Sequence, residues 1–263
     1  MNEARTVVIL AGGKGIRLRP HAELIPKALV PLGGMPMIWH IMKMYSISGY
    51  SHFLIALGHK GDMIAEWFEH YRGRRCDFTL HMDGSAPEFH IPLPEDERAW
   101  RITFVHSGEE TETAGRLLRL RSYIQDEHFL ATYSDGLSSV NIAEIARAHH
   151  SSGLPATMLS VRSPSRFGIV EAEHGRATRF DEKPHGRMRI NGGFFVFHRS
   201  VLDRISGDDA VLERDILEPI AREGGLGVYE HDGFWHCLDT QKDLHTLEQL
   251  WESGTAPWKC WME

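Results

Sequence analysis

Thr6-Val-Val-Ile-Leu-Ala11 runs straight into Gly12-Gly-Lys-Gly-Ile-Arg17, and the fold is read outward from that junction. After Thr6 every residue of the first segment is apolar, so the segment has no wet face. A run of that length reads as a parallel strand buried on both sides. The glycines then read as a loop. Lacking Cβ, they let the main chain approach a ligand closely, with amides free to point at phosphate oxygens. Arg17 adds a forked cation, and Lys27 adds a second positive group ten residues on. Such a cluster can neutralise a departing pyrophosphate. Two better-known phosphate loops do not fit. A P-loop ends in Gly-Lys-Ser/Thr, whereas Lys14 is followed by Gly15-Ile16. A dinucleotide fingerprint needs a third glycine opening a helix, and Leu18 stands there with Arg19-Pro20 behind it. On its own, Gly-Gly-x-Gly fits a ligand-free turn equally well.

Outward from the junction, strands and helices alternate. Pro36 opens a helix with Ile38, Ile41, Met42 and Tyr45 on one face, stopping near Gly49. His52–Leu57 is a second strand. Asp62 starts a helix burying Ile64, Trp67, Phe68 and Tyr71. Phe78–Met82, Ile102–Val105, Phe129–Tyr133 and Ala156–Val161 read as further strands, with helices over Leu117–Ile124 and, capped by Asn141, over Ile142–His150. Gly168–Ala172 and Ala177–Phe180 form a hairpin around His174-Gly175. Phe194–Phe197 is a strand, followed by helices around Val201 and over Ile216–Arg222. Short strands at Val228–Glu230 and Phe234–Leu238 lead to a last helix opened by a Thr240/Asp243 capping pair. The pattern predicts an α/β fold: a mostly parallel mixed sheet flanked by helices, with a small β-hairpin portion. Ser85–Trp100, with three prolines, reads as a surface excursion.

Bulk properties set bounds. A chain of 263 residues, 42% hydrophobic and 25% charged, suits one domain with a full core. We expect a single domain of two halves, 1–140 and 141–263. The net charge of −7 leaves no general basic footprint for nucleic acid. No apolar run has the length of a membrane span. Arg5 is followed by only five apolar residues from Val7, which is no signal-peptide pattern. Three cysteines without a C-x-x-C pair read as reduced thiols in a cytoplasmic protein.

Three further segments carry possible chemistry. Asp135, in Tyr133-Ser-Asp-Gly136, lies past the end of a parallel strand, where open α/β sheets place ligands. It can hold a magnesium ion, although a turn aspartate before glycine is the commoner use of that pattern. Glu182-Lys183-Pro184 precedes Asn191-Gly192-Gly193: a lysine for a phosphate monoester, an asparagine for sugar hydroxyls, or surface charge and a turn. Trp235 to Asp239 ends in a second acid at a strand-to-helix junction, which can also serve as a helix N-terminal acid.

Taken in order, these segments resemble the sugar-1-phosphate nucleotidyltransferases, almost end to end. The likeness runs from Val8-Ile-Leu-Ala-Gly-Gly-Lys-Gly15 and Pro26-Lys27 through Gly115-Arg-Leu117, Asp135-Gly136, Arg166-Phe-Gly168 and Glu182-Lys-Pro184. It continues through Ile190-Asn-Gly-Gly-Phe194, Gly233-Phe-Trp235 and Asp239-Thr240. Trp39–Ser46 and Ala256–Lys259 look most like the glucose-1-phosphate cytidylyltransferase branch. The resemblance implies a homo-oligomer whose substrates are a nucleoside triphosphate and a sugar 1-phosphate, best matched by CTP and glucose 1-phosphate. It implies one in-line displacement that releases pyrophosphate. Mg2+ would sit on Asp135 and Asp239. Arg17 would grip the β- and γ-phosphates, Lys27 the reacting phosphates and Lys183 the sugar phosphate. The nucleotide site would comprise Leu10, Ala11, Gly12, Gly13, Gly15, Ile16, Thr113, Gly115, Arg116 and Ser134. The sugar site would comprise Gly136, Gly168, Glu182, Asn191, Gly192 and Trp235.

The chain departs from the family pattern at Ile16, where threonine is usual, at Ile25-Pro-Lys-Ala28, where one lysine of a pair is missing, and at Ser134. These departures keep GTP, dTTP or UTP with a modified sugar open, as well as a non-catalytic nucleotide-sugar sensor. The basic stretch His185-Gly-Arg-Met-Arg189 reads as a solvated turn, or as a contact for a more anionic sugar. His149-His150 reads as an exposed helix end. Trp251, Trp258 and Trp261 read as an interface or as packing on their own domain. Cys237 has no visible activator and is not expected to be a nucleophile.

Overall fold

The computed structural model describes residues 5–13, 24–164, 169–181 and 185–261. Its main strands are β1 (Thr6–Ala11), β2 (His52–Leu57), β3 (Arg101–His106), β4 (His128–Tyr133), β5 (Gly136–Ser138), β6 (Ala156–Pro164), β7 (Ile169–Glu173), β8 (Arg176–Asp181), β9 (His185–His198), β10 (Leu226–His231) and β11 (Trp235–Cys237). Its main helices are α1 (Met37–Ser46), α2 (Gly61–Glu69), α3 (Thr113–Arg119), α4 (Ile142–Ser152) and α5 (Gln241–Glu252). Seven strands form one sheet in the order β10-β6-β9-β4-β1-β2-β3. β1 pairs in parallel with β2 and β4, β2 with β3, and β6 with β10. β9 alone in this sheet runs antiparallel, to both β4 and β6. The mostly parallel mixed sheet is therefore present, and the hairpin is the separate β7–β8 ribbon.

β1 explains its own lack of alternation. Val7, Ile9 and Ala11 enter one core, while Val8 and Leu10 enter the other. Helices cover both faces, so neither side of the strand meets water. α1 is buried from Met37 to Tyr45 because the C-terminus closes over it. Trp258 is fully buried, the Trp39 and Trp261 rings lie 5.6 Å apart, and Trp251 stands edge-on to His40 at 4.9 Å. The C-terminal tryptophans thus pack on their own domain. Among the described residues no helix is long and apolar enough to cross a membrane.

Local signals placed several elements correctly. Asn141 accepts from the Ala143 amide at 3.0 Å, and Thr240 with Asp243 forms a reciprocal capping box. Other expectations need correction. Only Phe78–Thr79 of the expected strand Phe78–Met82 is paired, with Glu88–Phe89, and Leu80 and Met82 are exposed. This pair forms a separate two-stranded ribbon and does not extend the main sheet beyond its edge strand β3. The helix expected over Leu117–Ile124 instead begins at Thr113. The Asp208 and Ala210 carbonyls accept from Glu112 and Ala114 at 2.8 and 3.0 Å, fixing its start by tertiary contact. The expected surface excursion Ser85–Trp100 is mostly exposed, and only its end returns to the core. Its short helix Glu95–Arg98 gives Asp96 to Lys43 at 2.5 Å, and buried Glu97 accepts from the Tyr71 hydroxyl. Buried charges persist when they are paired in this way.

His149 is buried, contrary to expectation; it meets His128 and Thr157 at 2.9 Å each. Burial lowers its pKa to about 4, assisted by the neighbouring histidines, and burial does the same to His40. Both folded-state values lie below the ordinary 6.5, so the unfolded chain binds protons first as pH falls. Stability is then complete above pH 6.5 and is lost toward pH 4, by up to about 1.4 kcal/mol per pH unit for each histidine. Urea melts across this interval should show the decline. A flat profile would contradict the assignment of both rings as buried and neutral.

Candidate active site

Asp135 lies just past the carboxyl end of β4, the strand beside β1. The chain turns at once into β5, which pairs antiparallel with β11 so that Gly136 faces Cys237. The Leu238 amide donates to the Asp135 carbonyl at 2.8 Å, closing the ribbon. This ribbon carries Asp239 to Asp135 from a distant part of the sequence. The α5 cap is the Thr240/Asp243 box, in which the Asp243 carboxylate accepts from the Asp239 and Thr240 amides at 3.2 and 2.7 Å. The Asp239 carboxylate is therefore not the helix cap and turns toward Lys27 instead.

Lys27 sits in a tight turn, Lys27–Leu29, held after extended Pro26. Its ammonium donates to Asp135 Oδ2 at 2.7 Å and to Asp239 Oδ1 at 2.6 Å. All three side chains are a quarter exposed or less. Burial opposes the lysine charge, but the Asp135 carboxylate and the hydrogen bonds to Asp135 and Asp239 outweigh it, and the lysine pKa is raised. At Cys237 burial comes first and Asp135 second; together they push the thiol far above its usual range. The thiol stays protonated, so it is neither a nucleophile nor a competitive ligand for a hard cation. Asp135, Cys237 and Asp239 each place a ligand atom within 4.8 Å of the others. Two carboxylates converging on one cation form an oxygen donor set that fits Mg2+, which commonly binds one or two carboxylates plus substrate phosphates.

Two pockets meet at Asp135. The first, about 250 Å³, takes Leu10, Ala11, Gly12 and Gly13 from the loop, Lys27, Thr113 and Arg116 from α3, and Ser134 with Asp135. The second, about 190 Å³, takes Gly136, Asn191, Gly192, Trp235, Cys237 and Asp239. Both include Tyr133 and Asp135. Apart from Gly115, the described members of the two residue sets read from the sequence line two adjoining cavities. Gly15, Ile16, Arg17, Gly168, Glu182 and Lys183 lie outside the described residues, as does the hairpin's expected first residue.

Several lining residues were not singled out by sequence. Thr111 and Glu112 belong to the turn before α3. Tyr133 donates its hydroxyl to Glu213, a contact that no spacing signals. Gly193 joins the second pocket with φ +78°, and a Cβ there would meet the Tyr133 ring at 2.9 Å. The Asn-Gly-Gly pattern was the available signal. The floor of this pocket is fixed by Asn191, whose side-chain oxygen accepts from Gly193 at 2.9 Å, and by Trp235, which donates to the Gly192 carbonyl at 2.8 Å.

Two expected nucleotide residues have packing roles. Gly115 is absent from the pocket lining; a Cβ there would lie 2.4 Å from the Asp208 carbonyl oxygen. The buried Arg116 guanidinium donates to Ser107 Oγ at 2.7 Å and to the carbonyls of Gly108, Glu109, Gly12 and Leu57 at 2.8–3.3 Å. It ties the glycine loop to its neighbours. A Cβ on Gly12 would lie 2.1 Å from the guanidinium carbon, whereas one on Gly13 would meet nothing within 4 Å. Gly12→Ala should therefore cost about 1–3 kcal/mol by overpacking, and Gly13→Ala should leave thermal stability near wild type. Equal melting temperatures for the two variants would contradict this reading.

Comparison with known proteins agrees with this geometry. The family model described as nucleotidyl transferase matches residues 6–253. The chain is 43% identical over 256 residues to a glucose-1-phosphate cytidylyltransferase of Salmonella typhi, covering 97% of this chain and 98% of that one. It is 31% identical to mannose-1-phosphate guanyltransferase beta-B of Xenopus laevis, over 91% of this chain and 62% of that protein. Among solved structures, HddC from Yersinia pseudotuberculosis gives a TM-score of 0.69 at 19% identity, covering 94% of this chain and 99% of that one, a likeness of fold. With the family matched from β1 into the C-terminal helix and a relative matched end to end, the chain belongs to the nucleotidyl transferase family.

Proposed function

We propose that this nucleotidyltransferase takes CTP and glucose 1-phosphate and forms CDP-glucose and pyrophosphate in a magnesium-dependent in-line displacement. The observation that carries the reading is the pair of pockets meeting at Asp135, with Lys27 joining that acid to Asp239. The choice of CTP and glucose is supported by the 43% identical relative. A sugar-phosphate oxygen attacks the α-phosphorus, the bond from that phosphorus to the bridging oxygen breaks, and pyrophosphate leaves. Magnesium on Asp135 and Asp239 would neutralise charge on the triphosphate. Lys27 supplies a fixed cation at the junction of the two pockets, and positioning of this kind is the main work of phosphoryl-transfer proteins. Asn191 lines the pocket proposed for the sugar, while Gly168 and Lys183 keep the sugar and sugar-phosphate roles that the family resemblance implies. The protonated Cys237 thiol argues against a covalent nucleotidyl-cysteine and supports direct transfer.

The pocket linings support a division into a nucleotide half, 1–140, and a sugar half, 141–263. We place the enzyme in the cytoplasm as a homo-oligomer, which light scattering tests. The 31% identical guanylyl relative favours GTP as the second reading. Pyrophosphate release from four triphosphates against several sugar 1-phosphates separates the readings. Turnover with CTP and glucose 1-phosphate is expected to exceed every other pair. Turnover with GTP but not CTP sinks the first reading, and magnesium-independent binding without turnover across the panel favours a sensor. Arg17→Ala should lower kcat by at least about 10²-fold through loss of a charge-stabilising donor, while Ile16→Thr keeps or improves activity. Normal turnover in the Arg17 variant would remove the loop from the mechanism.

A further inference from the structure

At the end of β4 opposite Asp135, four histidines gather. His128 opens β4 and faces His198, which ends antiparallel β9. His149 and His150 come from the last turns of α4. The His128 ring centroid lies 5.0 Å from His149, 4.6 Å from His150 and 5.0 Å from His198. The four histidines line a surface cavity of about 430 Å³, and exposed Glu127 is His128's chain neighbour. One ligand atom each from Glu127, His128 and His198 lies within 4.8 Å of the others. Nucleotidyl transfer uses none of these groups.

We propose that Glu127, His128 and His198 bind a divalent transition-metal ion of the zinc class, with His150, its ring 4.6 Å from that of His128, moving in to add a fourth ligand. The hydrogen bonds can orient the rings. If His149 donates through Nδ1 to Thr157 Oγ1, its Nε2 accepts from His128 Nδ1, and His128 Nε2 is left as a ligand. His198 Nδ1 accepts from the Ser200 amide at 3.2 Å and lies 2.7 Å from Ser200 Oγ; binding an ion through Nε2 moves the ring proton to Nδ1, where Ser200 Oγ can accept it in place of the amide contact. Outer partners of this kind set the tautomer of metal-binding histidines. A tetrahedral zinc site keeps ligand atoms roughly 3.3–3.5 Å apart, so the present group must draw in by about an ångström. Glu127 is exposed enough to make that movement. Imidazole with carboxylate selects zinc-like ions over magnesium, which sets this cluster apart from the all-oxygen pair Asp135/Asp239. The ion would cross-link the start of β4 to the end of β9, where the Arg199 amide already donates to the Glu127 carbonyl at 2.7 Å.

The test uses tag-free full-length protein dialysed against Zn2+ in excess Mg2+, followed by elemental analysis and by Co2+ substitution. One equivalent of zinc and the visible absorption of four-coordinate Co2+ are expected in wild type. In the folded His128→Gln/His198→Gln double variant, affinity should fall by more than about 10-fold, the loss that even outer partners can produce. Asp239→Asn should keep the equivalent, and His198→Gln should keep wild-type turnover. Absence of retained zinc in wild type would overturn the proposal. So would loss of zinc in Asp239→Asn with retention in the double variant. The cobalt spectrum needs no substitution, so the test survives a variant that does not fold.

Discussion

Lys27→Ala should lower kcat for pyrophosphate release by about 10²–10³, the scale of removing one preorganised donor from developing charge. It should also have a second, separable effect. Lys27 lies 2.7 and 2.6 Å from oxygens of Asp135 and Asp239, and without it the two carboxylates lose the cation they share. Removing one member of a fully buried pair costs about 3–5 kcal/mol. These side chains are 13–25% exposed, so a loss nearer 1–3 kcal/mol is expected after solvent screening. Mg2+ binds the folded variant preferentially and should recover its melting temperature by mass action. It should not recover kcat. Thermal melts with and without Mg2+, paired with turnover, check both parts. Wild-type kcat, or a melting temperature indifferent to Mg2+, would contradict the shared-cation reading.

Asp239→Asn should reduce kcat/KM by about 10²–10⁴, several kcal/mol of lost charge stabilisation, and raise the Mg2+ concentration needed for half-maximal rate. The fold should survive, because Asp243 rather than Asp239 caps α5. Asp243→Asn provides the contrast. It should cost about 1 kcal/mol of stability, the usual worth of a helix cap, and leave the chemistry near wild type. If the two substitutions exchange their effects, the roles of the two aspartates are reversed.

The contrast between these aspartates shows what the sequence could reveal. Thr240 and Asp243 stand three apart, and a capping box is a local pattern, so it was legible. β1 was legible because a strand buried on both faces leaves an unbroken apolar run. Asp135 and Asp239 were each visible as acids at strand ends, but either alone resembles a turn residue. What joins them is the β5–β11 ribbon, whose pairing depends on register between distant segments. Arg116 was read as a neighbour of the base. Its donors are directed at carbonyls of three separate segments, information that no short window contains. His149 looked like a solvated helix end because Thr157 and His128, its partners, arrive from two strands. Phe78–Met82 had strand composition, but its partner is the two-residue segment Glu88–Phe89, so only Phe78–Thr79 pair.

The central claim is that two adjoining pockets form one transfer site around Asp135, Asp239 and Lys27. A crystal structure with CDP-glucose and Mg2+ tests it most directly. The account predicts cytidine against Gly12, Gly13 and the start of α3, glucose against Asn191 and Trp235, and the diphosphate crossing beside Asp135 with the metal on Asp135 and Asp239. A nucleotide sugar bound away from that junction, or a metal held without either aspartate, would contradict it.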